Sequence, residues 1–427
     1  MKICIQPSEI SGTVMVPASK SAMQRACAAA LVKGNKTILA NPGISEDDKS
    51  AIDIIRQLGA QVTSSPGKVV ISSQGIHPIN TTINCGESGL SLRLFTSIAA
   101  LSEKEIILKG SGSLLKRPVG FFDDVLPLLG VSCQSNNGLL PLKIKGPLKP
   151  GNIEIDGSLS SQFLTGLLFA YAAAGANDVT IKVKALKSKP YIDLTLKIMA
   201  EFGLKVPFND GYESFYFPRN AVSQFPNHEI HYQVEGDWSN AAFLMVAAAI
   251  AGEIELKGLD VFSVQGDKLI LQALMQSDAL LSINQESIRI RKNNLKAFHI
   301  NATDTPDLFP PLAALACYCD GTSVIEGVGR LLHKESNRAV SITEEFLKLG
   351  ADISLQDDLM IIKGGRLQTA NLFSHNDHRI SMACAVAALG VEGSVTIDGT
   401  ESVNKSYPGF WEDLQSVGGN LSLTNNS

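Results

Sequence analysis

Basic side chains recur beside turns of small and polar residues in this chain, a pattern suited to binding anions. Lys20 and Arg25 follow the first turn, Arg93 follows the second and Arg379 belongs to the last. Each turn runs into an alanine- and leucine-rich stretch, so we expect the turns to form helix N-termini. Such termini offer unpaired N–H groups and the positive end of the helix dipole. Loops carry further cations, at Arg117, Arg330, Lys334, Arg338 and Lys405.

The overall charge makes this pattern a local one. The chain has 37 Lys and Arg against 42 Asp and Glu, a formal net charge of −5, so its composition attracts neither nucleic acid nor an anionic membrane. We therefore predict a polyanionic small molecule as the ligand, with no nucleic-acid or membrane partner. The plainer interpretation of any single turn is a helix cap without a ligand.

Other chemistries find little support in the sequence. The pairs His228/His231 and His375/His378 are spaced like metal ligands, but no neighbouring Cys or carboxylate completes either set, so we predict no metal. Motifs typical of nucleotide-phosphate loops and of serine hydrolases are missing. Seven scattered cysteines, no secretory h-region and a longest apolar stretch of only residues 241–251 lead us to expect a soluble, cytoplasmic protein.

The turns also mark a repeat of about 70 residues, which predicts an α/β fold. Each apolar stretch is followed by a β-like run and an amphipathic helix, and five of the six helices reach a glycine. The first helix of each unit is apolar nearly all round and must be buried. Six units group most simply as two pseudo-threefold domains of three. The turns open at Ser19, Gly86, Gly157, Gly236, Asp304 and Asn376.

The turns and cationic loops together resemble the enolpyruvyl transferases, and among them the members that use shikimate 3-phosphate as acceptor. The resemblance implies the family's inside-out α/β barrel fold, with buried parallel helices and an active site in the cleft between two domains. The first domain would comprise residues 1–19 plus 235–427, and the second residues 20–234. The matching segments, in order, are PASKS at 17–21, GESG at 86–89, KRP at 116–118, GSLSSQF at 157–163, SKPY at 188–191, EGDWS at 235–239, PD at 306–307, KESNR at 334–338, NDHR at 376–379 and KSYP at 405–408.

The resemblance implies transfer of the enolpyruvyl group of phosphoenolpyruvate to the 5-hydroxyl of shikimate 3-phosphate, a step of aromatic amino acid biosynthesis. Phosphate leaves through a tetrahedral intermediate, and neither metal nor cofactor takes part. The family's proton-transfer residues correspond to Asp307, Lys20, Lys334 and Glu335. Shikimate 3-phosphate would be held by Lys20, Ser21, Arg25, Ser160, Ser161, Gln162, Ser188, Tyr191, Asp307, Arg330 and Lys334. Phosphoenolpyruvate, and the inhibitor glyphosate, would be held by Lys20, Gly89, Arg117, Gln162, Arg338, Arg379 and Lys405.

Some positions depart from the family pattern. Glu87 and Leu90 stand where many members have asparagine and threonine, so an extra negative charge is expected near an anion site. Arg330 replaces an asparagine of some members, and Ser113 replaces a basic residue. Two other functions stay open: enolpyruvyl transfer to UDP-N-acetylglucosamine, and anion binding without catalysis. The first is disfavoured because the loop before Arg117 lacks the cysteine of that family, and the second because Asp307, Lys334 and Glu335 are all present. We expect a monomer whose domains close when substrate binds.

Overall fold

The computed structural model describes residues 1–219 and 229–423, so His228 of the first histidine pair lies outside the described residues. The chain forms two compact units. Unit 1 comprises Met1–Pro17 and Gly236–Ser427, and unit 2 comprises Ala18–Glu235. Within the described ranges, no helix combines the length and the apolar character needed to cross a bilayer.

Twelve α-helices lie within residues 1–219 and 229–423. They are α1 (Lys20–Lys33), α2 (Glu46–Gln57), α3 (Gly89–Ala99), α4 (Phe121–Val125), α5 (Ser161–Ala173), α6 (Pro190–Glu201), α7 (Trp238–Ala251), α8 (Ile270–Gln276), α9 (Phe309–Ala316), α10 (Arg338–Lys348), α11 (His378–Ala388) and α12 (Phe410–Ser416). The odd-numbered helices are the predicted apolar ones.

Twenty-four β-strands are found in the same ranges. They are β1 (Lys2–Gln6), β2 (Ile10–Met15), β3 (Lys36–Ala40), β4 (Gln61–Ser65), β5 (Lys68–Ser72), β6 (Thr82–Asn84), β7 (Glu105–Lys109), β8 (Ser132–Asn136), β9 (Leu139–Lys145), β10 (Ile153–Asp156), β11 (Val179–Lys184), β12 (Phe208–Asp210), β13 (Ser214–Phe217), β14 (Ile230–Gln233), β15 (Gly252–Lys257), β16 (Leu280–Ile283), β17 (Ser287–Arg291), β18 (His299–Asn301), β19 (Thr322–Glu326), β20 (Asp352–Gln356), β21 (Leu359–Lys363), β22 (Asn371–Phe373), β23 (Val395–Asp398) and β24 (Asn420–Leu423).

The strands form six four-stranded sheets with one shared topology, which confirms the predicted α/β repeats. Each sheet begins with a parallel pair, to which two further strands are added antiparallel, as in the order β6-β7-β9-β8. Unit 2 holds the sheets β14-β3-β5-β4, β6-β7-β9-β8 and β10-β11-β13-β12. Unit 1 holds β2-β15-β17-β16, β18-β19-β21-β20 and β22-β23-β1-β24.

The odd-numbered helices form the core of each unit, as their apolar character requires. All residues of α3, α7, α9 and α11 are buried. In unit 2, α1, α3 and α5 pack against one another, and in unit 1 α7, α9 and α11 do the same. Since a helix that is apolar all round has no face for water, three such helices must share one interior.

The chain passes between units at the first and fourth repeats, where one strand of each repeat is exchanged. In four repeats the strands before and after the buried helix pair with each other, as β6 does with β7. By contrast, β2 precedes α1 but pairs with β15, and β14 precedes α7 but pairs with β3. This exchange makes unit 1 discontinuous in sequence.

The division of the chain into units differs from the predicted domain bounds at three residues. Ala18, Ser19 and Glu235 were assigned to the first domain, but the structure places them in unit 2. The reason is local: Ser19 caps α1 by accepting a hydrogen bond from the Ala22 N–H, and its own N–H donates to the Glu235 carbonyl.

The amphipathic helices are less regular than their sequence pattern predicts. The amphipathic helix of the second repeat is a short α4 followed by a 3₁₀ turn at Leu126–Leu129, because Pro127 lacks the N–H that an α-helix needs. The fourth amphipathic helix also begins with a 3₁₀ turn, Gly266–Leu269. It lacks a terminal glycine, and Asp278 adopts the left-handed conformation there with φ 60°.

Gly166 of α5 packs directly against the backbone of α3, and this contact provides a test of the core packing. A Cβ on Gly166 would lie 2.6 Å from the Arg93 carbonyl oxygen and 2.9 Å from that of Leu94. Alanine adds about 1 kcal/mol of helix propensity, but overpacking against backbone costs about 1–3 kcal/mol. We expect Gly166→Ala to lower the midpoint of urea unfolding, and Gly151→Ala, whose Cβ would meet nothing within 4 Å, to leave it unchanged. A midpoint raised by Gly166→Ala would contradict this close packing.

Candidate active site

Polar side chains join the first turns of the three buried helices in unit 2. The Gln24 Oε1 of α1 accepts hydrogen bonds from the Ser88 and Ser91 hydroxyls at the start of α3. Arg93 of α3 donates through Nη1 to the Gln162 Oε1 of α5 at 2.9 Å. These bonds bring the predicted turns at residues 86–89 and 157–163 to the same end of the core as α1. The N-terminal ends of three helix dipoles therefore meet there, which favours anion binding.

Arg25 connects several predicted residues of unit 2. Its side chain is buried and donates to the Thr195 hydroxyl at 2.9 Å, to the Ser21 carbonyl at 2.8 Å and to the Tyr191 carbonyl at 3.3 Å. Burial lowers the pKa of its guanidinium to about 10, which still leaves it charged at neutral pH. Arg25 thereby fixes the backbone of Ser21 and Tyr191 and places a positive charge between α1 and α6.

Lys20 has a partner that sequence reasoning did not assign to the site. Its Nζ lies 2.9 Å from the Asp47 Oδ2, and both side chains are largely buried. Asp47 lies in the first turn of α2, where a carboxylate also complements the helix dipole. Nothing in the sequence indicates that α2 packs on α1, so the pair became visible only in the folded unit.

Arg117 lies against Gly89. A Cβ built on Gly89 would lie only 2.4 Å from the Arg117 Nη1 and 3.5 Å from the Arg93 Nη1. The Arg117 guanidinium thus occupies the space that a side chain at position 89 would need, and any larger residue there would displace it. The structure groups Gly89, Arg93 and Gln162 at neighbouring helix starts, and Arg117 reaches them from the loop before α4.

The predicted serines of unit 2 also lie at helix starts. Ser160 caps α5 by accepting a hydrogen bond from the Gln162 N–H, and Ser161 is the first residue of that helix. Ser188 is buried and adopts the left-handed conformation with φ 56°. Its backbone carbonyl accepts a hydrogen bond from the Tyr191 N–H. A non-glycine residue held in this conformation is uncommon and is often found at functional sites.

In unit 1, Asp307 lies at the centre of three cations. One carboxylate oxygen, Oδ1, is 2.6 Å from the Arg338 Nη1 and 3.5 Å from the Lys334 Nζ, and Oδ2 is 3.1 Å from the Arg379 Nη2. Removal from water would raise the pKa of Asp307, but Arg379, Lys334 and Arg338 hold it well below its usual value. Asp307 is thus ionised over the whole physiological pH range.

Arg338 is the most completely paired of these cations. Its side chain is 1% exposed, and besides Asp307 it contacts Asp377 at 2.8 Å through Nε and Glu335 at 2.5 Å through Nη2. Burial alone would lower the pKa of Arg338, yet Asp377, Glu335 and Asp307 raise it well above its usual value. Arg338 therefore also holds Asp307, Glu335 and Asp377 in place.

The other predicted residues of unit 1 surround this cluster. Arg379 is buried at the start of α11 and donates to the Asp307 carbonyl, and Lys405 donates to the Asn376 carbonyl at 2.8 Å. Burial lowers the pKa of Lys334, so this ammonium gives up its proton more readily than an ordinary lysine. Arg330 interacts electrostatically with Asp304, Asp307 and Asp358, and burial lowers its pKa too.

Asp267 is a further carboxyl near this cluster that sequence reasoning missed. It is buried, accepts a hydrogen bond from the Ser239 hydroxyl, and has a pKa raised to about 6 by burial and by the charge of Asp307. In the sequence it stands near the start of the amphipathic helix of the fourth repeat, where an aspartate is common. No signal separated it from a helix-capping aspartate.

His375 has carboxylate neighbours that its sequence context did not indicate. Its Nε2 lies 2.7 Å from the Glu345 Oε1 and 3.8 Å from the Glu344 Oε2, a grouping with the geometry of possible metal ligands. The buried Glu345 carboxylate already accepts hydrogen bonds from the Lys348 ammonium and the Phe373 N–H. The structure thus corrects the statement that no carboxylate lies beside the His375/His378 pair, since Glu344 and Glu345 both lie near His375.

Each unit therefore presents a distinct chemistry. Unit 2 supplies helix N-termini, hydroxyls, Lys20 and Arg117, which together can hold phosphate and carboxylate groups. Unit 1 supplies an ionised carboxylate, Asp307, beside a lysine whose acidity is increased, which are the components of general acid–base chemistry.

Comparisons with known proteins assign this arrangement to a family. The family model described as EPSP synthase (3-phosphoshikimate 1-carboxyvinyltransferase) matches residues 5–414. The 3-phosphoshikimate 1-carboxyvinyltransferase of Methanocorpusculum labreanum is 38% identical, with 99% of each chain covered. That of Clostridium novyi is 34% identical over 98% of this chain and 97% of its own.

Solved structures agree with the sequence comparisons. An EPSP synthase from Acinetobacter baumannii superposes with a TM-score of 0.82 at 26% identity, covering 99% of this chain and 100% of its own. The enolpyruvyl transferase NikO from Streptomyces tendae, at 16% identity and a TM-score of 0.78, shares the fold. The predicted enolpyruvyl transferase fold is confirmed, and the chain belongs to the EPSP synthase family.

Proposed function

We propose that this chain transfers the enolpyruvyl group of phosphoenolpyruvate to the 5-hydroxyl of shikimate 3-phosphate and releases phosphate. Family membership over residues 5–414 supports the reaction. The single structural observation that carries it is Asp307, a carboxylate contacted by Lys334, Arg338 and Arg379. The reaction needs such a combination, because a proton must leave a hydroxyl beside two anionic substrates. We also propose that the protein acts as a cytoplasmic monomer.

Shikimate 3-phosphate is assigned mainly to groups of unit 2. Ser160, Ser161 and Gln162 lie at the N-terminus of α5, so the phosphate of this substrate would meet the positive end of the helix dipole as well as side chains. Ser21 and Tyr191, whose backbones Arg25 holds, are assigned to the same substrate. Lys20, Ser188, and from unit 1 Asp307, Arg330 and Lys334, complete the proposed set.

Phosphoenolpyruvate is assigned to the arginines. Arg117 lies beside Gly89 and near Arg93, and Gln162 accepts from Arg93. Arg338 and Arg379 would contact the same substrate from unit 1, together with Lys405, and Lys20 would contact it from unit 2. Arginine suits this task because its guanidinium can bind a carboxylate or phosphate through two parallel hydrogen bonds.

Asp307 is the proposed proton acceptor, and its surroundings imply an order of events. With three cations around it the carboxylate is a weak base, because its pKa is held well below its usual value. Substrate anions that bind Arg338, Arg379 or Lys334 would neutralise part of this positive charge and raise the basicity of Asp307. Lys20, Lys334 and Glu335 are the proposed partners in the remaining proton transfers.

Asp307→Asn tests the proposed base. The amide keeps the shape of the side chain but cannot accept the 5-hydroxyl proton, so kcat should fall by about 100-fold or more while shikimate 3-phosphate still binds. Phosphate release measured with shikimate 3-phosphate, and in parallel with UDP-N-acetylglucosamine, gives the rate and the acceptor. Asp352→Asn, an exposed change in the same unit, is the control. A normal kcat in Asp307→Asn would remove it from the mechanism.

Arg117→Ala tests the assignment of the arginines. Loss of one buried charge that pairs with the ligand costs about 2–5 kcal/mol, so KM for phosphoenolpyruvate should rise at least about 30-fold. The KM for shikimate 3-phosphate should change far less. Arg56→Ala, which removes an exposed arginine paired with Asp53, serves as the matched control. An equal rise in both constants would assign Arg117 to the wrong ligand.

Gly89→Ala tests the proposed subsite shared with glyphosate. The added methyl group would press on the Arg117 guanidinium, 2.4 Å away, and narrow the space beside α3. We expect the inhibition constant of glyphosate to rise more than the KM for phosphoenolpyruvate, since the inhibitor is longer. Steady-state inhibition measured at several phosphoenolpyruvate concentrations gives both constants. Proportional changes in the two would refute the steric explanation.

A further inference from the structure

Glu87 contacts the loop that precedes Arg117. Its Oε2 accepts hydrogen bonds from the Ser113 N–H at 3.1 Å and from the Ser113 hydroxyl at 3.3 Å. Glu87 and Ser113 are two of the positions at which this chain departs from its family pattern. In the folded unit the two departures form one contact.

Gly112 shows that this contact shapes the loop. A Cβ on Gly112 would lie 2.2 Å from the Glu87 carboxyl carbon and 2.4 Å from each of its oxygens. Gly112 also adopts φ 52°, a left-handed conformation that favours glycine. The carboxylate thus occupies the space that any side chain at position 112 would fill.

The loop continues from this contact directly to Arg117. Residues Gly112–Lys116 form a 3₁₀ turn, and the Arg117 N–H donates to the Leu114 carbonyl at 3.1 Å. The Leu114 side chain is fully buried, and the Ser111 N–H donates to the Gly86 carbonyl at 2.7 Å. Glu87 therefore adds a second tie between the start of α3 and the turn that delivers Arg117.

We propose that Glu87 is a positioning residue that holds the 112–116 turn, and through it Arg117, in the conformation that binds phosphoenolpyruvate. A negative charge so close to an anion site would otherwise oppose binding. Donation from Ser113 directs the carboxylate to the loop and stabilises its charge locally. The inference rests on the proposed function for its kinetic test, while its structural test is independent of that function.

Hydrogen exchange measured by mass spectrometry tests the contact without any substrate. In Glu87→Ala the amides of residues 111–117 should exchange at least about 10-fold faster than in the wild type, because the Ser113 N–H loses its acceptor. Glu87→Gln keeps an acceptor oxygen and should protect these amides nearly as well. Unchanged exchange in Glu87→Ala would overturn the proposal even if the protein proved inactive.

Steady-state phosphate release tests the consequence for Arg117. Glu87→Ala should raise KM for phosphoenolpyruvate about 10-fold with little change in KM for shikimate 3-phosphate, whereas Glu87→Gln should show a phosphoenolpyruvate KM at or below the wild-type value. An equal rise in both constants in Glu87→Ala, or equal damage by Gln and Ala, would overturn the positioning role. A wild-type protein inactive with this substrate pair would instead refute the proposed function.

A double-mutant cycle with Gly112 separates this contact from general loop damage. Gly112→Ala should displace the Glu87 carboxylate and raise KM for phosphoenolpyruvate as Glu87→Ala does. In the Glu87→Ala background the same substitution meets no carboxylate and adds only the cost of the left-handed backbone at position 112, so KM should rise by a smaller factor than in the wild-type background. Independent, multiplicative effects of the two substitutions would show that Glu87 and Gly112 do not act through one contact, and would overturn the proposal.

Discussion

The burial of six apolar helices is the constraint on which the rest of this structure depends. Helices such as α3 and α7 expose no residue, so each needs neighbours on every side. The three apolar helices of each unit pack against one another, and the sheets and amphipathic helices cover their remaining surfaces. The polar ends of the helices cannot be buried in the same way, because their first N–H groups need partners. The serines, glutamine and arginines of the unit 2 site, and the aspartates and arginines of the unit 1 site, therefore lie at or near these helix N-termini.

The two chain crossings follow from an exchange of strands between repeats. In the first repeat, β2 pairs with β15 in unit 1, although α1 belongs to unit 2. In the fourth repeat, β14 pairs with β3 in unit 2, although α7 belongs to unit 1. Residues close to the first crossing are used in the proposed chemistry. Lys20 and Ser21 begin α1 directly after one crossing, and Trp238 begins α7 directly after the other. The N-termini of α1 and α7 therefore lie within a few residues of the two positions in the sequence where one unit ends and the other begins.

Mutual neutralisation of charge explains why several ionised side chains can lie close together and buried in unit 1. Asp307, Glu335 and Asp377 share Arg338, while Lys334 and Arg379 contact Asp307 as well. A buried charge without a partner would be very costly, so these carboxylates and cations pair with one another. An incoming phosphate or carboxylate would take over part of that role, and the released carboxylate becomes a stronger base. Binding and activation of the base would thus be consequences of the same exchange of partners.

The sequence by itself determined the repeat, the buried helices, the helix N-termini and the family. Their signals are local: apolar periodicity, small residues before a helix, and short motifs in order. Only the tertiary structure decided contacts between elements far apart in sequence, such as Lys20 with Asp47, Glu87 with Ser113 and Arg338 with Asp377. It also groups Ser19 with unit 2 and shows that Asp267 is buried. These features could not be predicted because they depend on how elements pack, and the local sequence carries no information about which partner will neutralise a given charge.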